Sequence, residues 1–430
     1  MSALNEIITL EVERAVAGGR MLARHGGRVV FVAGAIPGEQ VRARVTKASR
    51  QSLWADTVEV ITPSPDRRDP ICDPACGGLA FAHINYSRQL ALKGQILSDA
   101  FRRLARVELQ PPPVAGSPEA HYRMRSRLHV AGGRTGFFLE GTHKLCDAGP
   151  TLQLAPESLD AAADVLSALG SSAANCEAVT ISENVAGTER VLLLEPRAGA
   201  RLDGALEGLA AQFAGGNRRV TGVATLLQGR LKGIWGNEMV CDTGARLLGA
   251  GAGFDGIEWR RRPTSFFQGN RFLLGHLVSR VLALTSGDLI ADLYAGVGLF
   301  TAPLASRGSD VLAAEGDPSS LDDLAANTEA WDTKVRIAKG AVEDVLKRPP
   351  MPPPDAVIVD PPRTGMSAEA LDRLAAWGTP SLVYVSCDPA TLARDASRLA
   401  HHGFRLLSIE GLDLFPNTPH VEAIAAFVRP

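Results

Sequence analysis

Short stretches in which hydrophobic and polar residues alternate open the chain. They occupy residues 7–12, 28–32, 41–45 and 55–60, and glycine-containing pairs lie between them. Such alternation is typical of β-strands, and the glycines are typical of tight turns. Four or five short strands within about 55 residues predict a small β-barrel. Prolines between residues 63 and 70 predict a linker after it.

One predicted hairpin of this barrel is basic. Arg42, Arg44, Lys47 and Arg50 lie on it, and Trp54 follows. Such a hairpin is either a solvated sheet edge or, because of its aromatic ring, a surface that binds RNA. The sequence leaves both interpretations open.

Helical periodicity replaces strand alternation at residues 86–106. Hydrophobic residues recur there on one face, from Leu90 to Leu104, which predicts an amphipathic helix. The prolines at 111–113 then exclude a longer helix.

A further strand-like stretch, residues 121–130, carries three arginines at alternate positions. A strand places Arg123, Arg125 and Arg127 on one face and hydrophobic residues on the other. Three guanidinium groups side by side repel one another unless they meet an anion. The arginine face therefore either binds RNA phosphates or lies in solvent, paired with acidic residues. Residues 150–262 carry no comparable chemical signature.

From about residue 265 the pattern becomes strand, turn and helix in repetition. Hydrophobic strands are predicted at 289–293, 311–314, 356–359, 381–385 and 423–428. Strands that alternate with helical stretches are typical of a doubly wound parallel sheet, so this part belongs to the α/β class.

Composition limits the kinds of protein that fit this pattern. A chain of 430 residues has room for about three domains. Hydrophobic residues make up 45% of it and charged residues 21%, which excludes a disordered chain. The net charge of −2 excludes a globally basic protein, so any basic surface must be local.

The cysteines and the hydropathy indicate the compartment. Six cysteines in a chain of this length do not suggest a disulfide framework, and they indicate a reducing environment. Charged residues interrupt the first 25 positions, where a signal peptide would be apolar, and no stretch approaches the roughly 20 apolar residues of a membrane helix. We therefore expect a soluble cytoplasmic protein.

A glycine-rich turn follows the predicted strand 289–293. Gly296 and Gly298 lie in this turn, and glycine lets a ligand approach the backbone closely. Glu315 ends the next strand, where a carboxylate accepts hydrogen bonds from ribose hydroxyls. A dinucleotide site has a third glycine three residues on, but Thr301 stands there. These residues predict a site for a single nucleoside, as in S-adenosylmethionine.

Cys387 comes directly after a predicted strand, at the edge where doubly wound sheets bind ligands. It is either an inert buried thiol or a nucleophile. Asp360 and Arg363 end the preceding strand and should lie beside it. Asp388 is adjacent and should oppose formation of the thiolate, an effect that Arg363 or Arg394 would offset.

Glu422 opens the last predicted strand, whose other residues are apolar. A carboxylate at such a position is either a solvated strand end or a base in a dry pocket. The strand pattern fits both interpretations.

Five motifs in this order resemble the RNA uracil-C5 methyltransferases, in particular the 23S ribosomal RNA type with an N-terminal TRAM domain. They are FFQGN at 266–270, DLYAGVGLF at 292–300, DPPRTG at 360–365, VSCDPATLARD at 385–395 and LFPNTPHVE at 414–422. The resemblance covers nearly the whole chain. It implies an OB-like TRAM barrel at 1–65, a central α+β RNA-binding domain at 66–262 and a Rossmann-like class I methyltransferase domain at 263–430. The helix at 86–106 would then pack on the catalytic domain.

The resemblance also implies roles for single residues. Cys387 falls on the nucleophile and Glu422 on the general base. The positions that bind S-adenosylmethionine are Gln268, Tyr294, Gly296, Gly298, Glu315 and Asp360. Carbon 5 of uracil is too weak a nucleophile to take a methyl group directly, so the thiolate must first attack carbon 6. A base must then remove the proton at carbon 5.

RNA contacts are expected from the positions of four arginines. Arg363 would stabilise the enolate oxygen of the ring, and Arg123, Arg125 and Arg127 would hold the RNA whose target uridine has left its stack. We expect RNA as the partner, no membrane association and a monomer.

The chain departs from the family pattern at its cysteines. Many members bind an iron–sulfur cluster through a pattern that begins C-x5-C-G-G-C, but here the matching run is Cys72 to Leu79, with a shorter spacing and leucine at the third position. The fourth position falls on Gly149, three residues after Cys146. A [4Fe–4S] cluster usually needs four thiolates, so we expect no cluster and no metal.

Two further departures concern the site itself. Asp388 replaces the asparagine usual after the nucleophile, and Ala341 stands where an adenine contact is expected. Methylation of 23S ribosomal RNA remains the first hypothesis. Methylation of another target such as transfer RNA, or an RNA-binding assembly factor whose site has decayed, stay as alternatives.

Overall fold

The computed structural model describes residues 4–217, 219–227 and 230–429. Its N-terminal part is a closed five-stranded barrel in the order β1-β2-β3-β5-β4. The strands are β1 (Ile7–Ala15), β2 (Met21–His25), β3 (Arg28–Ala33), β4 (Gln40–Ala48) and β5 (Ser52–Thr62). Alternate residues of β1 are buried in the barrel, as its sequence pattern predicts. The predicted barrel is confirmed, and β2 is the strand that the pattern did not resolve.

The linker after the barrel leads into helix α1 (Tyr86–Ala100), which continues as a π-helical turn to Ala105. The predicted helix over 86–106 is therefore present. Leu92 and Ile96 of α1 pack into the barrel core. Leu97 and Phe101 pack into the core of the C-terminal domain. One helix thus joins two hydrophobic cores.

The central part is built on a seven-stranded sheet in the order β13-β12-β11-β10-β7-β8-β9, with two helices packed on it. Its elements are β7 (Arg125–Ala131), β8 (Arg134–Phe138), β9 (Leu145–Cys146), α2 (Pro156–Leu169), β10 (Cys176–Glu183), β11 (Arg190–Pro196), α3 (Asp203–Phe213), β12 (Gly222–Leu227) and β13 (Arg230–Gly236). Before them, β6 (Val114–Ala115) joins the C-terminal sheet, and after them β14 (Val240–Thr243), α4 (Gly244–Leu248) and β15 (Glu258–Arg261) form a small hairpin unit.

The C-terminal domain is an eight-stranded sheet in the order β18-β17-β16-β19-β20-β22-β21-β6. Its elements are α5 (Leu274–Leu284), β16 (Leu289–Leu293), α6 (Thr301–Ser306), β17 (Asp310–Glu315), α7 (Pro318–Thr328), β18 (Val335–Lys339), α8 (Val342–Val345), β19 (Ala356–Val359), α9 (Ala368–Trp377), β20 (Ser381–Ser386), α10 (Pro389–His401), β21 (Arg405–Leu412) and β22 (Glu422–Val428). Strands β16 to β20 are parallel, and β22 runs antiparallel to β20. The ends of β16, β19 and β20 and the start of β22 therefore meet at one sheet edge.

Hydrophobic pattern explains which of these strands could be predicted. All four residues of β19 are buried, because helices cover both faces of a parallel sheet, and such strands appear as apolar runs. Strands β18 and β21 contain exposed residues among partly buried ones, so they do not appear as apolar runs, and they were not predicted.

Cys76 and Cys146 form a disulfide, which differs from our expectation of thiols in a reducing environment. A backbone bridge between Cys76 and Leu139 lays the cysteine segment beside β8 and β9, so the two Cα atoms come within 6.0 Å of each other. Cys72 stays a free thiol. Within the described ranges, no three histidine, cysteine or acidic side chains converge as a metal site, and no helix is both long and apolar enough to cross a membrane.

Candidate active site

A cavity of about 640 Å³ opens at the sheet edge where β16, β19, β20 and β22 meet. Most of the residues singled out in the sequence line it: Arg123, Arg125, Gln268, Tyr294, Gly296, Glu315, Asp360, Arg363, Cys387 and Glu422. Gly298 and Arg127 do not line it. The fold therefore brings together side chains from positions up to about 300 residues apart in the chain.

One wall of the cavity, the glycine side, consists of Tyr294, Gly296 and Glu315. The chain turns sharply after β16, so that Tyr294 has a φ of +64° and Gly296 a φ of +57°. A carbon added at Gly296 would meet no atom within 4 Å, so a ligand can come close to the backbone there. Gly298 supports the turn from behind: its carbonyl accepts a hydrogen bond of 3.1 Å from the Trp259 indole nitrogen.

The Glu315 carboxylate is held in place by backbone amides. It accepts hydrogen bonds from Gly296 at 2.8 Å and from Gly316 and Asp317 at 2.7 Å each. Asp317 and Ser320 line the same end of the cavity. Carboxylates and a hydroxyl beside an open glycine turn form a donor and acceptor set that fits the sugar of a nucleoside. The residues present thus fit the nucleoside part of S-adenosylmethionine.

The other wall, the thiol side, consists of Asp360, Cys387 and Glu422. Asp360 follows β19, and Gln268 donates a hydrogen bond of 3.2 Å to it. Burial, together with the nearby charge of Asp292, raises the pKa of Asp360 to about 7. Burial likewise raises the pKa of Asp292 to about 7, and the charge of Glu315 adds to this, while hydrogen bonding to Thr301 counteracts it.

Cys387 and Glu422 lie at the ends of neighbouring strands, since β20 and β22 pair so that Ser386 is opposite Ala423. Burial raises the pKa of the Cys387 thiol to about 11, and the Glu422 charge adds to this while Arg363 counteracts it. Glu422 is 4% exposed, and among the described residues its carboxylate meets no hydrogen-bond donor. Burial and the charge of Asp360 raise the pKa of Glu422 well above its usual value. Of the two interpretations of Glu422, the geometry favours the carboxylate in a dry pocket.

Asp388 has a different position from the one we expected. It is the N-cap of α10, where its side chain accepts hydrogen bonds of 2.9 Å from Ala390 and 2.8 Å from Thr391. The carboxylates that oppose ionisation of Cys387 are therefore Glu422 and, to a smaller extent, Asp360, whereas Asp388 stabilises a helix. Arg394 also lies elsewhere, since it bonds to Asp395 and to the carbonyls of Thr364 and Met366.

The three arginines of the 121–130 stretch separate in the structure. Arg123 bonds to the side-chain oxygen of Gln153 at 2.7 Å, and the Arg125 Nη2 reaches a backbone carbonyl at 3.3 Å, so neither is paired with an acid in the described chain. Arg127 forms ion pairs of 2.9 Å and 2.8 Å with Glu177 and Glu195. For Arg127 the structure favours the second interpretation, an exposed face paired with acids. The partners could not be foreseen because they lie on other strands.

Sequence reasoning gave no role to several residues of the cavity. Phe266 is 60% exposed at its rim, and Phe415 lines it from the loop before β22. Both lie in motifs that we quoted, and an exposed aromatic ring is the signal that marks Phe266. Lys93, which lies outside the cavity, was also missed, although a lysine on the apolar face of a predicted helix is unusual.

Comparison with known proteins agrees with this architecture. The sequence profile of the tRNA (Uracil-5-)-methyltransferase family matches residues 354–429, and that of the TRAM domain matches residues 2–58. The crystal structure of the Pyrococcus abyssi tRNA (uracil-54, C5)-methyltransferase in complex with S-adenosyl-L-homocysteine superposes with a TM-score of 0.74 at 23% identity, over 97% of this chain and 99% of that one. At this identity the superposition shows the fold alone, and it confirms the predicted methyltransferase architecture.

Full-length relatives are more similar in sequence. The 23S rRNA (uracil(1939)-C(5))-methyltransferase of Alkalilimnicola ehrlichii is 34% identical, over 96% of this chain and 94% of that protein. The enzyme of the same name from Thiobacillus denitrificans is 32% identical over all of both chains. Because these similarities extend from the barrel to the last strand, the protein belongs to the RNA (uracil-5-)-methyltransferase family.

Proposed function

We propose that this enzyme methylates carbon 5 of a uridine in 23S ribosomal RNA through a covalent bond between Cys387 and the ring. The observation that carries the proposal is the shared cavity, which Cys387 and Glu422 line together with Tyr294, Gly296 and Glu315. The choice of RNA rests on the full-length relatives, which are named for 23S ribosomal RNA.

The chemistry requires a nucleophile and a base within reach of the same ring. The Cys387 thiolate adds to carbon 6 of uracil, and the electron pair of the ring double bond moves toward the carbonyl at carbon 4. When bound, S-adenosylmethionine supplies a sulfonium methyl group to carbon 5. Glu422 then takes the proton from carbon 5, the double bond reforms, and the bond between carbon 6 and sulfur breaks to release Cys387 as thiolate.

The surroundings suit these roles. The raised pKa of Glu422 makes it a stronger base than an exposed carboxylate, which suits the removal of a proton from carbon. Arg363 lines the cavity and lowers the pKa of Cys387 by its charge. In the adduct the same guanidinium group can stabilise the enolate oxygen.

Two arginines are free to hold the RNA. Arg123 and Arg125 line the cavity without an acidic partner in the described residues, so phosphates next to the target uridine can pair with them. The basic hairpin of β4 and β5 offers a second contact, where the Lys47 Nζ lies 4.9 Å from the centre of the half-buried Trp54 ring. Arg127 is already paired and should contribute least.

Trapping the adduct tests both the mechanism and the choice of RNA. Glu422→Gln should form the bond between sulfur and carbon 6 but release it about 100- to 10,000-fold more slowly, because the base is missing. A labelled 23S ribosomal RNA fragment should then migrate with the protein on a denaturing gel, whereas transfer RNA should not. Glu410→Gln is the matched control, because Glu410 is a glutamate of neighbouring β21 that pairs with Arg280.

Each outcome has a defined meaning. Adduct on transfer RNA alone would contradict the choice of 23S ribosomal RNA, and absence of any adduct would remove Glu422 as the base. Cofactor binding without turnover in the unmodified chain would support the alternative of an RNA-binding factor.

A further inference from the structure

The loop of residues 413–421 connects the end of β21 to Glu422. It has no regular structure, yet three of its polar residues, Asp413, Asn417 and Thr418, are buried. Phe415 of the loop lines the cavity. The loop starts directly after Leu412, which pairs with Glu422 across β21 and β22, so what holds the loop also bears on the position of Glu422.

Helix α1, which lies some 300 positions earlier in the chain, supplies the main anchor. The Lys93 Nζ donates to the Asp413 Oδ1 at 2.5 Å and to the Phe415 carbonyl at 3.2 Å. Both side chains of the ion pair are completely buried. Burial lowers the pKa of Lys93 and raises the pKa of Asp413, and each charge offsets this effect on the other.

A second anchor lies one turn earlier on α1. The Gln89 amide exchanges two hydrogen bonds of 2.9 Å with Asn417, one to its side chain and one to its backbone. Arg68, from the linker, donates to the same Asn417 side chain at 2.7 Å. Asn417 has a φ of +66°, a conformation that these bonds help to hold.

We propose that Lys93 is a positioning residue for the methyl-transfer reaction: through its ion pair with Asp413 it fixes the loop that places Glu422 against carbon 5 of the target ring. The inference rests on the proposed role of Glu422. Lys93 does not line the cavity, so it acts through the loop and not on the substrate.

The buried Lys93–Asp413 ion pair is better suited to fixing the geometry of the loop than to stabilising the fold. Two buried charges lose their hydration, and an apolar or neutral pair of similar size is often equally stable. A buried pair of this kind does specify one geometry, because the charges cannot separate without cost. A displacement of about 1 Å at a catalytic group can cost about 100-fold in rate.

The test replaces the pair by neutral side chains of similar size, as Lys93→Met with Asp413→Asn in the full-length enzyme. Because both charges are removed together, neither is left buried without a partner, so the fold should be kept. Asparagine can still accept the hydrogen bond that the Phe415 backbone amide donates to Asp413 at 3.2 Å. We expect a melting temperature within about 4 °C of the unmodified enzyme. We expect kcat to fall about 10- to 100-fold, while the KM for S-adenosylmethionine stays within about twofold.

The matched control is Lys334→Met with Asp310→Asn, a lysine–aspartate pair of 3.0 Å on the surface at the amino end of β17. It should leave kcat unchanged. The positioning role also requires that the Lys93/Asp413 variant accumulate the covalent RNA adduct, as the Glu422→Gln variant does, because removal of the carbon 5 proton becomes slow. A purely structural role would lower the melting temperature without trapping RNA.

The two proposals fail in different ways. An unchanged kcat in the Lys93/Asp413 variant overturns the positioning role, whatever the Glu422→Gln variant does. A reduced kcat in the Lys93/Asp413 variant, together with no adduct in the Glu422→Gln variant, supports the positioning of the loop and overturns Glu422 as the base. A reduced kcat that is accompanied by an equal rise in the KM for S-adenosylmethionine also overturns the positioning role.

Discussion

The two walls of the cavity differ in how their polar groups are satisfied. On the glycine side, the Glu315 carboxylate accepts three backbone hydrogen bonds. On the thiol side, Glu422 meets no hydrogen-bond donor among the described residues, and burial shifts the pKa values of Asp360, Cys387 and Glu422 upward. Both walls are formed by strand ends of the same sheet.

The difference indicates what each wall has to do. A group that binds a sugar works best when its geometry is fixed in advance, which backbone amides achieve. Groups that exchange protons and form bonds need perturbed pKa values, which burial without partners achieves. The sheet edge supplies both kinds of surroundings, and variants should separate them.

The largest effect is expected from Cys387→Ala. Methylation should fall by at least about 1,000-fold, because Cys387 is the only thiol among the described residues that line the cavity. Binding of S-adenosylmethionine should stay unchanged, as measured by calorimetry, since the glycine side is intact. Cys241→Ala, which removes a partly buried free thiol outside the cavity, is the control. Substantial methylation by Cys387→Ala would contradict the covalent mechanism.

A pH profile should separate the two walls next. The Cys387 pKa of about 11 means that the thiol is mostly protonated at neutral pH, so the thiolate fraction rises as pH increases. Single-turnover methylation should rise about tenfold per pH unit between pH 8 and 10. Asp360, which is also expected to bind the cofactor, has a pKa of about 7 and is already mostly ionised at pH 8, so cofactor affinity should stay flat. A methylation rate that falls with pH would mean that another step limits the reaction.

The smallest effect is expected from Glu315→Gln. The amide keeps the shape of the carboxylate but loses its charge, so the KM for S-adenosylmethionine should rise about tenfold. At saturating cofactor, kcat should stay within about twofold, which steady-state kinetics can measure. Glu329→Gln, an exposed glutamate after α7, should change neither constant. A lower kcat with unchanged KM would place Glu315 on the reacting side.

The fold was predictable where one pattern suffices. The barrel and the buried strands β16, β17, β19 and β20 follow from alternation and apolar runs, because burial imposes those patterns directly. The N-cap role of Asp388 could also have been predicted, since an aspartate before a proline is a common helix start.

Contacts between distant segments could not be predicted from local pattern. Nothing near Arg127 indicates that Glu177 and Glu195 lie beside it, because sheet pairing brings them together. The same holds for Lys93 and Asp413, which are 320 positions apart. The sequence motifs predicted most of the residues that line the cavity, whereas the supports behind them emerge only in three dimensions.

Helix α1 has a consequence for how such enzymes can be cut and recombined. Leu92 and Ile96 belong to one hydrophobic core, and Leu97 and Phe101 belong to another. A gene fragment that begins after this helix would lack part of the interior of its own folding unit, so transplanting the catalytic half onto a foreign RNA-binding module should succeed only when residues 86–105 travel with it.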